Sequence, residues 1–159
     1  MQIIYCHHAL RDRKQNPDQQ DGLLPLGVQD AQIVAKLFEL ANKKGRVKAI
    51  YTSQFFRCTE TAKIVNEHIN APVFIEPRFD EFQSIDGETW VDLQRRVQNA
   101  ILDIVRKYDE DDIVICVTSG VNVVGFISLA YGLEPDEKAP FIGIPSCSPM
   151  VFEIKDKRK

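Results

Sequence analysis

Short apolar runs of β type alternate with longer segments of helical period along this chain, and few architectures accommodate that alternation. Residues 2–6, 47–51 and 113–117 are strand-length runs rich in Ile, Val and Tyr, with a shorter one at 73–75 and a closing one at 147–154. Between them, Pro25, Leu26 and Gly27 introduce a helix with Val28, Ala31, Val34, Ala35, Phe38 and Ala41 on one face. A second helix at 55–68 carries Cys58, Ala62, Ile64 and Val65. A third at 89–108 carries Leu93, Val97, Ala100, Ile101, Ile104 and Tyr108, and 121–131 is a fourth. Strands separated by helices call for a three-layer α/β fold, with a mainly parallel sheet and helices on both faces. No repeat or linker divides the chain, so residues 1–159 are read as one domain. A chain of this length buries roughly two thirds of its unfolded surface, enough for a core without disulfides.

Charge and cysteine content exclude several roles. A formal charge of −3 gives no general attraction to nucleic acid or to an anionic membrane, so neither is an expected partner. No run approaches the roughly 18 apolar residues of a membrane span, and the first residues lack the basic start of a signal peptide. The cysteines, Cys6, Cys58, Cys116 and Cys147, form no C-x-x-C pair; Cys6 and Cys116 sit in apolar runs as reduced thiols do. The cytoplasm is the expected compartment.

In mainly parallel sheets ligands bind beyond the carboxyl ends of the strands, where strand order switches. Two sequences stand at such ends: His7-His8-Ala9 after the first strand, and Thr118-Ser119-Gly120 after the 113–117 strand. A histidine leaving a buried strand into a loop is placed to attack phosphorus with a ring nitrogen, dividing one difficult transfer into two easier ones. From residue chemistry alone, a surface or core histidine pair fits equally well. Adjacent side chains on a strand point to opposite faces, so His7 and His8 are not expected to share a metal ion. Neither a metal nor a nucleotide cofactor is expected: the chain lacks G-x-x-x-x-G-K-[ST] and G-x-G-x-x-G.

Ile3-Ile4-Tyr5-Cys6-His7-His8-Ala9 resembles the signature of the histidine phosphatase (phosphoglycerate mutase-like) superfamily, a hydrophobic strand followed by Arg-His-Gly or Arg-His-Ala. Leu24-Pro25-Leu26-Gly27 resembles that family's Leu-Thr-x-x-Gly turn. The run from Tyr51 to Ala62 resembles its Ser-Ser-Pro-x-x-Arg-x-x-x-Thr-Ala element. Phe79-Asp80-Glu81-Phe82 resembles its acidic segment, Gly87-Glu88-Thr89-Trp90 the start of the next helix, and residues 113–120 the strand before its second histidine. The resemblance spans nearly the whole chain and implies a phosphoglycerate mutase-like fold.

It also implies roles. His8 falls on the phosphate-accepting nucleophile; a register one residue earlier would place His7 there and Cys6 on the arginine. Arg57 falls on a phosphate-binding arginine, whose rigid fork pairs with two phosphate oxygens. Glu81 falls on the proton donor to the leaving group, although residue chemistry does not separate it from Asp80, Asp86 and Glu88. Two positions depart from the family: His7 replaces an arginine and Ser119 replaces the second histidine. Both remain expected phosphate ligands, with Arg11 as a further cation ahead of Arg13 and Lys14. The expected activity is metal-independent phosphomonoester hydrolysis through a phosphohistidine, weakened or narrowed by these changes, on a small phosphorylated metabolite or a phosphoprotein. The alternative is a non-catalytic module that binds phosphate or an anionic ligand. Histidine replaces arginine as a cation only while protonated, near an unperturbed pKa of about 6.5. Phosphate affinity or turnover is therefore expected to strengthen below neutrality, and a flat profile from mildly acidic to mildly alkaline pH would contradict the role given to His7.

Overall fold

The computed structural model describes residues 1–13, 21–83 and 86–154; Lys14 and the basic tail lie outside them. Five strands form one sheet: β1 (Gln2–His7), β2 (Val47–Thr52), β3 (Val73–Ile75), β4 (Ile113–Thr118) and β5 (Pro149–Glu153), in the order β3-β2-β4-β1-β5. The first four are parallel, and β5 runs antiparallel along the far side of β1. The helices are α1 (Pro25–Ala41), α2 (Phe56–Asn66), α3 (Trp90–Val105) and α4 (Val123–Ala130). This is the three-layer α/β architecture, a mainly parallel sheet with helices on both faces, expected from the alternating pattern.

Period-two alternation sorts each central strand between two cores. Ile4 and Cys6 of β1, with Ile115 and Val117 of β4, pack under α1 and α2 against Ala31, Val34, Phe38, Cys58 and Val65. Ile3, Tyr5, Val114 and Cys116 face the other way, onto Leu93, Val97, Ile101, Ile104 and Phe126 of α3 and α4. A capping box starts α3: the Thr89 hydroxyl accepts from the Asp92 N–H at 3.2 Å, and the Asp92 carboxylate accepts from the Thr89 N–H at 3.1 Å. All four cysteines are buried free thiols, and burial pushes each thiol pKa up.

Several details differ from the sequence reading. Ala41 is exposed at the end of α1 instead of lying on its buried face. Helix α3 ends at Val105, and Tyr108 beyond it reaches β2 through a 3.1 Å contact between its hydroxyl and that of Tyr51. A 3₁₀ turn over Gly120–Asn122 precedes α4. The closing strand begins at Pro149, because Cys147, with φ of 56°, turns its N–H onto the carbonyls of His7 and His8, both at 3.2 Å.

The connections place the site. From β1 the chain crosses to β2 under α1; from β4 it crosses the opposite way to β5 under α4. Neighbouring strands left in opposite directions open a crevice at their carboxyl ends. His7 pairs in register with Thr118, so His8 and Ser119 leave the sheet side by side. Helix α1 backs the loop after β1 by close backbone approach: a Cβ built on Gly27 would stand 2.3 Å from the Leu10 carbonyl oxygen, two residues after His8. Gly27→Ala is expected to lower unfolding free energy by about 1–3 kcal/mol in urea titration, the range for overpacking. Gly143→Ala, whose added carbon meets nothing within 4 Å, is expected to leave stability unchanged.

Candidate active site

His8 is 6% exposed and its ring has a defined tautomer. Nδ1 lies 2.8 Å from the Ala9 carbonyl, an acceptor only, so it carries the hydrogen and donates. Nε2 then has a lone pair, and it accepts from the Arg57 Nε–H at 3.2 Å. Burial, then the neighbouring His7, push the His8 pKa down to about 3, against weaker upward help from the Ala9 carbonyl. The ring is neutral at physiological pH, with the Nε2 lone pair taken up by Arg57. Its backbone is fixed as firmly: His8 N–H donates to Thr118 O at 2.9 Å, and Ala9 N–H to the Thr61 hydroxyl at 2.9 Å.

Arg57, on the first turn of α2, is fully buried. Its Nη1 pairs with Asp21 at 3.4 Å, its Nη2 donates to Glu81 Oε2, and its guanidinium carbon lies 4.6 Å from the centre of the Phe55 ring. Arg11 completes the cluster, with Nη1 3.2 Å from the other Asp21 oxygen. Two guanidiniums thus face two carboxylates beside two histidines. Taking an unpaired guanidinium out of water costs several kcal/mol, so this pairing is what allows Arg57 to sit where it does.

The structure separates the four acids that residue chemistry left equivalent. Asp80 accepts from Ser53 Oγ at 2.6 Å and from the Gln54 N–H at 3.1 Å, and so shapes the turn into α2. Glu88 pairs with Arg96 and caps the Gln83 N–H at 2.8 Å. Asp86 is exposed. Glu81 alone of the four lines the crevice, a cavity of about 210 Å³ also bounded by His7, His8, Arg11 and Gly120. A cavity of about 520 Å³ opens at the opposite ends of the strands, near Met1, Arg46 and Glu153, away from every candidate residue.

Strand alternation is a poor guide to the histidine pair. Because β1 ends at His7, His8 is free of the pleat, and the two rings meet over the strand end with centroids 4.4 Å apart at 72°. His7 Nδ1 donates to the carbonyls of Ile144 and Pro145 at 2.9 and 3.2 Å, and its ring lies over Gly120, where a Cβ would stand 3.0 Å from Cε1. Burial lowers the His7 pKa, the two carbonyls and Glu81 oppose that, and Arg57 adds to it. Ser119 is 1% exposed, with no hydrogen-bond partner for its hydroxyl. It lies behind the cavity wall; its carbonyl accepts from Tyr5 OH at 3.1 Å.

The family model for the histidine phosphatase superfamily (branch 1) matches residues 8–85 and 82–159. The chain belongs to this superfamily. Among solved structures, the mycobacterial glucosyl-3-phosphoglycerate phosphatase complexed with VO3 is 16% identical, with a TM-score of 0.77 over 94% of this chain and 90% of that one. Bacillus stearothermophilus YhfR is 22% identical, with a TM-score of 0.75 over 97% and 91% of the two chains. The Entamoeba histolytica phosphoserine phosphatase in complex with 3-phosphoglyceric acid is 17% identical, with a TM-score of 0.72 over 94% and 89%. No curated protein matches the sequence. Among the described residues, no helix is long and apolar enough to cross a membrane.

For this superfamily member, the structure brings His7, His8, Arg11, Arg57 and Glu81 together and sets Ser119 behind them. Sequence reasoning missed Asp21, the buried acid that bridges Arg11 and Arg57; it lies in a polar loop, and its place before Gly22 in the turn leading to α1 was the only available signal. It also missed the segment from Phe141 to Ser146, which has no periodic signal yet forms much of the cavity wall.

The neutral His8 ring links stability to pH. In the unfolded chain histidine takes up a proton near pH 6.5, whereas folded His8 does so only near 3. Between those values the unfolded state holds more protons, so this contribution is complete above pH 6.5 and is lost as pH falls toward 3. His7, lowered in the same sense, adds to the slope. Unfolding free energy is expected to fall from pH 6.5 to 5, and His8→Gln to remove close to one proton from that slope, about 1.4 kcal/mol per pH unit at most. Equal slopes in the two proteins would contradict a neutral His8.

Proposed function

We propose that the protein is a phosphomonoester hydrolase working through a phosphohistidine on His8. The observation that carries this reading is the contact of a neutral imidazole with the buried Arg57 guanidinium, whose Nε–H donates to His8 Nε2 at 3.2 Å and gives up that lone pair when phosphorus is attacked. Nε2 attacks phosphorus, the bond to the leaving oxygen breaks, and Glu81 gives that oxygen its proton. Water then attacks the phosphohistidine, Glu81 takes a proton back, and inorganic phosphate leaves with His8 restored. All groups needed are side chains, so the reading calls for no resident metal or cofactor, and turnover is expected to survive chelation.

Charge gives Glu81 its second task. Arg11, Arg57, Asp21 and Glu81 sum to zero while His7 and His8 are neutral, so this cluster offers a phosphate dianion no net positive charge, and Arg13 on the cavity wall adds one cation. Displacing Glu81 from Arg57 frees guanidinium donors for phosphate and leaves the carboxyl beside an anion, where it binds the proton that it later donates. Protonated His7 serves as a further donor, and Arg11 meets the outer oxygens; Ser119, behind the cavity wall, is not placed to reach the phosphate. Substrates are a small phosphorylated metabolite or a phosphoprotein. The second reading, an anion-binding module without turnover, draws on the same Arg57–Glu81 pair, which occupies the cation when no ligand is bound.

Brief incubation with phosphomonoesters is expected to leave an acid-labile phosphoryl group on the wild type and none on His8→Ala. Glu81→Gln is expected to lower kcat on alkyl phosphates by about 10²–10⁴-fold and far less on p-nitrophenyl phosphate, whose leaving group needs no proton. Phosphate affinity is expected to rise as pH falls, and to go on rising below 6.5, since His7 is depressed. Phosphate-dependent thermal stabilisation without turnover would favour the binding module. Neither stabilisation nor turnover would contradict both readings.

A further inference from the structure

The cavity has two unlike walls. Its polar side is His7, His8, Arg11, Arg13 and Glu81. The rest, among the described residues, is Leu10, Val121, Phe141, Ile142 and Ile144 with two glycines and one uncharged hydroxyl, Ser146. Ile142 and Ile144 alternate with exposed neighbours and pack onto the α3–α4 core, so their apolar surfaces are held in place. Phe141 is 71% exposed although it lines the cavity. It belongs to an aromatic row: its centroid is 6.4 Å from that of Trp90, which meets the Phe82 ring edge-on at 5.9 Å. Phe82 directly follows Glu81, so the row begins beside the acid that serves the leaving oxygen. Trp90 is itself pinned, its Nε1 donating to the Ala139 carbonyl at 2.9 Å.

From these walls we infer that the site takes phosphomonoesters of compact aromatic alcohols, a substrate class that rests on the phosphatase reading above. With the phosphoryl group on His8 and Arg57, the leaving group lies against the apolar wall. An aromatic ring there gains an offset or edge contact with Phe141 and sheds water from both surfaces. A sugar or glycerate in the same place loses water from its hydroxyls with few partners in return, and a site without such partners discriminates against them. The cavity of about 210 Å³ is small beside the 300–1,000 Å³ common for ligand sites, which limits the leaving group to about a single ring.

Binding of non-hydrolysable probes separates this inference from the question of turnover. Phenylphosphonate is expected to bind about tenfold or more tightly than methylphosphonate by calorimetry, and Phe141→Ser to remove most of that difference while leaving methylphosphonate affinity unchanged. In turnover, kcat/KM for phenyl phosphate or O-phosphotyrosine is expected to exceed that for glucose 6-phosphate or 3-phosphoglycerate, and the order of the two aromatic esters tells a free phenol ester from a tyrosine one. Equal affinity for the two phosphonates, or a preference for the polyhydroxylated esters, would overturn the aromatic assignment and leave the phosphatase reading intact. Binding of neither phosphonate would overturn both.

Discussion

A fully buried guanidinium beside an uncharged imidazole is the constraint around which the rest of the crevice is arranged. Arg57 requires carboxylates at hydrogen-bond range, and Asp21 and Glu81 supply them from loops far apart in sequence. Burial and His7, with the same cation, keep His8 unprotonated, so the guanidinium that donates to Nε2 also helps to keep a proton off it. Removing one partner of such a pair strands a buried charge at a cost of about 3–5 kcal/mol, less for the partly exposed Glu81. The cluster is thus bound together more tightly than its individual contacts suggest.

The fold was legible because hydrophobic period is a physical requirement: a strand buried on both faces reads as a continuous apolar run, and a helix on a sheet reads as a stripe. The departures fell where period stops acting. Ala41 is small enough to end a helix in water, and the segment before β5 is shaped by hydrogen bonds from Cys147 instead of by apolar spacing. For the site, the family resemblance pointed to Arg57 and Glu81, and geometry then distinguished Glu81 from Asp80, which is turned toward Ser53. The choice between His7 and His8 depended on where β1 ends, a single-residue question that alternation cannot answer. Asp21 was barely legible: its place before Gly22 is the one signal, and nothing in a polar loop announces that one of its acids will be buried.

The two departures from the family pattern have physical accommodations nearby. His7 stands where the resemblance places an arginine; its ring lies close over position 120, where a Cβ would stand 3.0 Å from Cε1, and the 144–145 carbonyls hold Nδ1. A neutral His7 oriented this way presents Nε2 as an acceptor, so its contribution to anion binding depends on gaining a proton. Ser119, shorter than a histidine, leaves a buried hydroxyl with its hydrogen-bonding capacity unused directly behind the pocket. Neither a neutral His7 nor Ser119 adds fixed positive charge beside His8 and Arg57, which keep their 3.2 Å contact.

Nitrogen NMR of the imidazole rings, with His8 assigned through His8→Gln, tests the central claim most directly. The account predicts that His8 carries its hydrogen on Nδ1 and stays neutral from pH 8 down to at least about 5, far below the usual histidine midpoint near 6.5. A His8 ring protonated on Nε2, or one that titrates near 6.5, would contradict it.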